Sequence, residues 1–301
     1  MTRAGFVGIA GRPNVGKSTL VNAIVGAKVA IVSDRPQTTR RAIRGIATDV
    51  GVGRQIVLVD LPGVQRPRDV LTERMQARVE RELADADAAL LVVNGEQGVG
   101  PGDRFIARAL LGAKPPGEGS TPVICAVNKC DRLGRAGTTA ALAAAADLEA
   151  VDEVFPVSAR TGAGLGVLLE RLGELLPPGP FLYPPGERSD QASEVHLAEL
   201  IREQVLRRTR EEIPHSVEVA VEEVSVRDDG LHDVRAQLWV ESESQKGILI
   251  GKGGRMVREI GTAARKELER ELGSKVFLDL QVRTRDRWRR DEGLLDRLGI
   301  E

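Results

Sequence analysis

Gly11-Arg12-Pro13-Asn14-Val15-Gly16-Lys17-Ser18 is a complete G-x-x-x-x-G-K-S phosphate loop, and its flanks decide the fold. Before it, Phe6-Val7-Gly8-Ile9-Ala10 is a short apolar run suited to a buried strand. After it, Ser18 to Val25 reads as the first turns of a helix stopped by Gly26. In that strand-loop-helix setting, Gly11 and Gly16 let backbone N–H groups close around phosphates. Lys17 reaches β and γ oxygens, and the Ser18 hydroxyl ligates Mg²⁺. Arg12, Pro13, Asn14, Val15 and Thr19 complete the cradle. By itself the loop specifies only a nucleoside triphosphate.

Outward from the loop, apolar runs alternate with helix-like stretches from Gly5 to about Leu176, which predicts an α/β domain with a mostly parallel sheet and helices on both faces. The expected strands are 6–10, 55–60, 88–94, 123–128 and 154–158. Ligands of such sheets bind at the carboxyl ends of the strands, so chemistry should collect there. Residues 112–122 have the composition of a surface loop. Pro177-Pro178-Gly179-Pro180 and Pro184-Pro185-Gly186 mark a linker, giving domains at 1–178 and 194–301 with the linker at 179–193.

Three further elements sit at strand ends. Asp60-Leu61-Pro62-Gly63 supplies an aspartate to hold Mg²⁺ and a glycine N–H to sense a γ-phosphate. Asn128-Lys129-Cys130-Asp131 decides the base. The Asp131 carboxylate can accept from guanine's N1–H and exocyclic amine, a donor pair adenine lacks on that edge. Asn128 is placed to tie adjacent loops and Lys129 to cover the base. Ser158-Ala159-Arg160 can offer the Ala159 N–H to guanine O6. Between loop and D-x-x-G lies Gln37-Thr38-Thr39-Arg40, where a switch threonine should reach Mg²⁺. Thr38 and Thr39 both qualify, and Thr39 is favoured. The expected metal set is Ser18, Thr39 and Asp60. A P-loop kinase of small substrates is the competing class, and the Asn-Lys-x-Asp element argues against it.

Composition limits the alternatives. With 301 residues, 42% hydrophobic and 29% charged, the chain has the length of two globular domains with real cores. No apolar run approaches the roughly 18 residues of a membrane span, and nothing near Met1 resembles a signal peptide. Cys125 and Cys130, in and just after one apolar run, suit neither a disulfide framework nor zinc, so a reducing cytoplasm is expected.

Beyond the linker the pattern changes to helix (194–212), strands (215–226 and 234–240), a short apolar segment, the loop Gly251-Lys252-Gly253-Gly254, a helix (255–272) and a strand (276–282). A G-x-x-G loop between helices in this order fits an α+β type II KH domain, whose loop clamps about four nucleotides of single strand. Ile250 to Arg255 are therefore the candidate RNA contacts. From Gly251 to Arg290, twelve basic residues stand against six acidic ones, the local excess that phosphates require. Trp288, among arginines, can stack on a base or anchor the tail. A carboxyl-terminal domain that binds protein, with a merely solvated basic surface, is the alternative.

Together, Gly-Arg-Pro-Asn-Val-Gly-Lys-Ser, Gln-Thr-Thr-Arg and Gly-Lys-Gly-Gly resemble the bacterial Era family of translation-factor-related GTPases over nearly the whole chain. The family usually has threonine where Leu61 stands, and the loop at 112–122 looks like an insertion. The resemblance implies a cytoplasmic, Mg²⁺-dependent GTPase switch, monomeric, with GTP and GDP as ligands. It also implies binding near the 3′ end of 16S ribosomal RNA, a role in 30S subunit maturation, and peripheral association with the inner membrane face. For hydrolysis, Ras-like enzymes use a glutamine just after the D-x-x-G glycine, where this chain has Val64; Gln65 is one position late. In related GTPases an asparagine at the position of Asn14 helps hold a K⁺ ion against the β–γ bridge. Asn14, Lys17, Thr39 and Gly63 are the expected catalytic set.

Overall fold

The computed structural model describes residues 1–33, 35, 38–63, 68–111, 121–210 and 212–300. They divide into two compact units, residues 1–67 with 72–190, and residues 68–71 with 191–301.

In the first unit, β1 (Arg3–Ala10), β2 (Ile43–Asp49), β3 (Arg54–Asp60), β4 (Ala88–Asn94), β5 (Val123–Asn128) and β6 (Glu153–Pro156) form one sheet in the order β2-β3-β1-β4-β5-β6. Every pairing is parallel except β2 with β3. The helices are α1 (Lys17–Val25), α2 (Val70–Ala84), α3 (Pro101–Leu111), α4 (Arg135–Ala146) and α5 (Leu165–Leu175). Both sheet faces are covered. Val7, Ile9, Leu58, Leu90 and Val92 face a core shared with Leu20, Val21, Leu168 and Leu172. Val59, Leu91, Val93 and Cys125 face another, shared with Leu83, Ile106, Leu110 and Ala145. Two buried faces explain why these strands read as continuous apolar runs rather than alternating ones. The phosphate loop leaves the carboxyl end of β1, a central strand, where open α/β sheets bind ligands.

Two features differ from the sequence expectation. Strand β2 is not among the expected strands, because Gly45 interrupts its apolar pattern. That glycine is a packing requirement, since a Cβ there would fall 2.7 Å from Val21 Cγ1 and 2.9 Å from Val25 Cγ2. The segment expected to be a linker is pinned over much of its length. The Gln55 side chain accepts from the Leu182 and Tyr183 N–H groups at 2.7 and 2.9 Å and donates to the Tyr183 carbonyl at 2.8 Å. Ile46 N–H donates to the Arg188 carbonyl at 2.9 Å, Gly45 bridges Ser189, and Arg44 pairs with Asp190 at 3.2 Å. The compact unit therefore runs to Asp190 rather than 178. Proline and glycine content signals a loop, but not that the edge of β2 needs bonding partners.

In the second unit, α6 (Ser193–Arg208), α7 (Ile213–Ser216), β7 (Glu218–Val226), β8 (His232–Val240), α8 (Glu243–Ile250), α9 (Arg255–Leu272), β9 (Val276–Thr284) and α10 (Glu292–Arg297) follow in order. The sheet β7-β8-β9 is mixed, antiparallel then parallel. Its inner residues Val219, Val234, Ala236 and Leu238 pack with Leu200, Ile201, Ile260, Ala264 and Leu268. Helix α6 stops at Arg208, earlier than expected, and Pro214 sits in the first turn of α7, the one helical place where its missing N–H costs nothing. Trp288 is fully buried and donates its indole N–H to the Ser216 carbonyl at 2.9 Å, so it anchors the tail instead of offering a stacking face.

Candidate nucleotide and RNA sites

Between β1 and α1 the loop turns through two left-handed residues, Asn14 (φ 65°) and Gly16 (φ 99°). Asparagine is among the few residues that tolerate this conformation. Lys17 is buried, and its ammonium donates to the carbonyls of Gly11 at 3.0 Å and Arg12 at 3.3 Å. Burial lowers the Lys17 pKa from its ordinary value, and the Asp60 carboxylate opposes that shift. The side chain of Arg12 departs from the cradle expected for it. Its Nε stands 2.8 Å from Asp103 Oδ2 at the start of α3, and only its carbonyl serves the loop.

The expected metal corner is assembled. Ser18 Oγ donates to Asp60 Oδ2 at 2.7 Å, Thr39 Oγ1 to the same oxygen at 3.3 Å, and the two hydroxyls are 3.3 Å apart. Thr38 lines the cavity at this corner, but its hydroxyl donates to the Arg35 carbonyl at 2.6 Å, whereas the Thr39 hydroxyl meets Asp60. Burial pushes the Asp60 carboxyl pKa up, against Lys17 and the hydroxyls of Ser18 and Thr39. Asp60 Oδ1 is buried without a hydrogen-bond partner. An orphaned carboxylate oxygen beside two hydroxyls is a hard-oxygen donor set, which fits Mg²⁺. Gly63 and Pro13 line the same cavity, whereas the Leu61 side chain lies wholly in the core. Gln37, Val64 and Gln65 lie outside the described residues.

A larger cavity of about 230 Å³ carries the base elements and shares Asn14, Gly16, Thr19, Val32 and Ser33 with the phosphate cavity. One groove thus runs from Thr39 to Asp131. Asn128 Nδ2 donates to the Val15 carbonyl at 2.9 Å, while its Oδ1 accepts the N–H groups of Lys129 at 2.8 Å and Ala159 at 3.0 Å. Lys129, also left-handed (φ 68°), places its ammonium 2.9 Å from the Asn14 carbonyl. Phosphate loop and base loops are therefore tied by two side chains. The Ala159 N–H, expected on guanine O6, is directed at Asn128 here. Asp131 accepts from Ser158 Oγ at 2.6 Å and from Arg160 Nε at 3.0 Å, and these bonds, Ser158 first, hold its carboxyl below the usual carboxylate range. At neutral pH it is an acceptor only, the state that guanine's two donors require. Arg160 covers that carboxylate from an exposed position, a pairing that a bound base would displace.

Val32 and Ser33, between α1 and the Thr-Thr pair, also line the groove. No motif singles them out, since they contribute by position along the groove.

In the second unit the loop Gly251–Gly254 joins α8 to α9 with Gly251, Gly253 and Gly254 all at positive φ. Gly253 and Lys252 are exposed, so backbone and ammonium are both presented to solvent. Arg255 is paired with Glu259 at 2.8 Å, whereas exposed Lys252, Arg258, Arg265 and Lys266 have no acidic partner among the described residues. Those four add to the charge available to phosphates.

Comparison with known proteins agrees with both halves. The family model described as "50S ribosome-binding GTPase" matches residues 6–129, and the KH domain model matches residues 212–289. The chain is 48% identical over 301 residues to a "GTPase Era" of Mycobacterium sp. strain KMS, covering 99% of each, and 48% identical over 300 residues to that of Mycobacterium tuberculosis, covering 99% of this chain and 98% of the relative. Among solved structures it is similar to Era in complex with MgGDPNP and nucleotides 1506–1542 of 16S ribosomal RNA, at a TM-score of 0.92 and 33% identity over 100% of this chain and 99% of the other. It is also similar to an Aquifex aeolicus Era variant bound to GDP and AlF₄⁻, at a TM-score of 0.91 and 34% identity over 99% of each.

Proposed function

The chain belongs to the Era family of GTPases, and from that premise we propose that its GTP cycle times the binding of single-stranded RNA near the 3′ end of 16S ribosomal RNA during maturation of the 30S subunit. The chain is a GTPase. The observation that carries the nucleotide half is the groove that joins Ser18 and Thr39, whose hydroxyls meet Asp60, to an ionised Asp131 at the other end. For the RNA half, support comes from the exposed Gly251–Gly254 loop and the cations of α9 that lack acidic partners among the described residues, together with the relative that holds nucleotides 1506–1542.

Ser18, Thr39 and Asp60 would hold Mg²⁺, which when bound neutralises charge on the β and γ phosphates. Lys17 exchanges its two loop carbonyls for phosphate oxygens, and Gly63 senses the γ-phosphate. Asp131 exchanges Arg160 for guanine. Asn14 would help to hold a K⁺ ion, which when bound would supply positive charge to the reacting phosphates. Thr39 lies in the segment that a γ-phosphate would order, so hydrolysis releases it. Among the described residues no helix is long and apolar enough to cross a membrane, and the membrane contact we propose is peripheral.

The test is anisotropy of a labelled RNA carrying the 16S 3′ end, with GTP analogue and with GDP, for the native chain and Gly253→Asp. Aspartate tolerates the left-handed φ of 61° but sets a carboxylate against phosphate. Binding should be nucleotide-dependent and fall at least about tenfold in the variant. Equal binding by the two proteins would show that the loop does not hold RNA.

A further inference from the structure

The side chain of Arg12 leaves the phosphate loop and enters a socket in Gly98-Val99-Gly100-Pro101-Gly102-Asp103, the stretch that follows β4 and opens α3. Its Nε stands 2.8 Å from Asp103 Oδ2, and its Nη2 donates to the Gly98 carbonyl at 3.3 Å. The Gly100 N–H donates to the same Asp103 oxygen at 2.8 Å, so one carboxylate fixes both the guanidinium and the turn around it. The socket is shaped for this side chain: a Cβ on Gly102 would fall 2.7 Å from Arg12 Cδ. Asp103 is fully buried, and no other cation pairs with it among the described residues.

Two ties hold the first half of the loop. The inner one is the Lys17 ammonium, donating to the carbonyls of Gly11 and Arg12, and it is released when Lys17 turns to a phosphate. The outer one is Arg12 with Asp103. Neither residue lines the phosphate cavity or the base cavity, so this tie survives the exchange. Next to Arg12, Pro13 packs on Gly63: a Cβ on Gly63 would fall 3.4 Å from Pro13 Cγ and 3.6 Å from Pro13 Cδ. Desolvation offsets most of the attraction in a buried ion pair, so such a pair contributes geometry more than stability.

We propose that Asp103 is a positioning residue for the GTPase reaction. Through Arg12 it holds Pro13 against Gly63 once Lys17 has let go of the loop, and so sets how the site distinguishes a nucleotide with a γ-phosphate from one without. The assignment rests on the γ-phosphate role of Gly63 proposed above.

Affinities of the full chain for GDP and for a non-hydrolysable GTP analogue test it. Asp103→Asn, which keeps an acceptor for Gly100, and Arg12→Gln should each lower the analogue-to-GDP affinity ratio about tenfold while changing GDP affinity less than about threefold. The double variant should lower the ratio no further than either single one, the non-additivity of two residues acting as a unit. It leaves no buried charge unpaired, so it carries the test if a single variant fails to fold. Arg12→Lys, which keeps the charge, should recover most of the ratio. Hydrolysis at saturating GTP should fall about tenfold in the variants that lose the pair. A GDP affinity that falls in step with that of the analogue, or losses that add in the double variant, would overturn the proposal. An unchanged ratio does so too, and Gly63→Ala then separates two causes. If that variant lowers the ratio, only the role of the pair fails; if it does not, the γ-phosphate role of Gly63 fails as well.

Discussion

Gly16 and Asn128 compete for one space: a Cβ on Gly16 would stand 2.4 Å from Asn128 Nδ2, the nitrogen that holds the Val15 carbonyl. The phosphate loop can close only because residue 16 has no side chain, and its φ of 99° adds a second reason. Gly16→Ala should therefore displace Asn128 and open the joint between phosphate and base loops. GDP affinity should fall at least about thirtyfold, the loss of a buried hydrogen bond plus left-handed strain of about 1–2 kcal/mol. Titration with a fluorescent GDP analogue measures this. A change below threefold would mean that the loop relaxes without Asn128.

Asp131 reads the base through an ionised carboxylate, already depressed in pKa by Ser158 and then Arg160. Because its folded pKa lies below the ordinary value, the charged state is kept as pH falls to the usual carboxylate range. GDP binding should thus show no titration step from Asp131 between neutral pH and that range. Asp131→Asn turns one acceptor into a donor. GTP affinity should fall by about two orders of magnitude, because a charge-assisted pair of bonds is lost and a donor is set against a donor. XTP, with a carbonyl in place of the amine, should bind the variant better than it binds the native chain. Competition binding with GTP, XTP and ATP decides it.

Asp60 couples the site to stability. Burial raises its folded pKa, so at neutral pH its charge opposes the fold, and the penalty disappears as pH falls below the folded and then the unfolded value. Removing that charge should stabilise the protein without nucleotide while disabling it. Asp60→Asn is expected to raise the midpoint of nucleotide-free thermal unfolding by about 2–4 °C, corresponding to about 1 kcal/mol, with Mg²⁺-dependent GTP hydrolysis down at least about a hundredfold. A lowered midpoint would show that the pairing with Lys17 outweighs desolvation.

Asn14 separates backbone from side-chain roles. It is left-handed at φ 65°, so Asn14→Gly keeps the loop conformation and removes only the carboxamide. If that group helps hold K⁺, native protein hydrolyses GTP faster in K⁺ than in Na⁺ and the glycine variant shows equal, slow rates in both. Phosphate release in the two buffers is the readout, and a K⁺ stimulation retained by the variant would exclude the carboxamide.

Elements whose chemistry depends on neighbours along the chain are legible in the sequence. The phosphate loop, Asp60, the Asn128–Asp131 element and Gly251–Gly254 each pair a motif with a strand or helix end, and the apolar runs of a doubly covered sheet mark β1, β3, β4 and β5. What depends on distant partners is not. Gly45 hides β2 because Val21 and Val25 press on it from α1. Arg12 belongs to a consensus phosphate motif, yet its side chain answers to Asp103, far along the chain at the start of α3. The Thr39 hydroxyl meets Asp60 and the Thr38 hydroxyl meets Arg35, a difference that no spacing encodes. Residues 182–190 have the composition of a linker, and their fixed place comes from a buried glutamine on β3 and from the edge of β2.

That glutamine makes the last prediction. Gln55 is fully buried, and its amide makes four hydrogen bonds: to Thr48 Oγ1 at 2.9 Å, to the Tyr183 carbonyl, and from the N–H groups of Leu182 and Tyr183. Gln55→Ala leaves those backbone groups without partners and opens a cavity at the edge of the sheet, together a loss of about 2–3 kcal/mol. Gln55→Glu keeps the two bonds accepted by Oε1 but sets a buried carboxylate oxygen against the Tyr183 carbonyl, so it should destabilise as well. The alanine variant should unfold about 4–12 °C lower. Residues 182–190 should also become the first site of cleavage in limited proteolysis. If the midpoint falls but cleavage begins elsewhere, Gln55 supports the sheet without holding the segment; if neither changes, the Arg188–Asp190 contacts with β2 suffice to hold it.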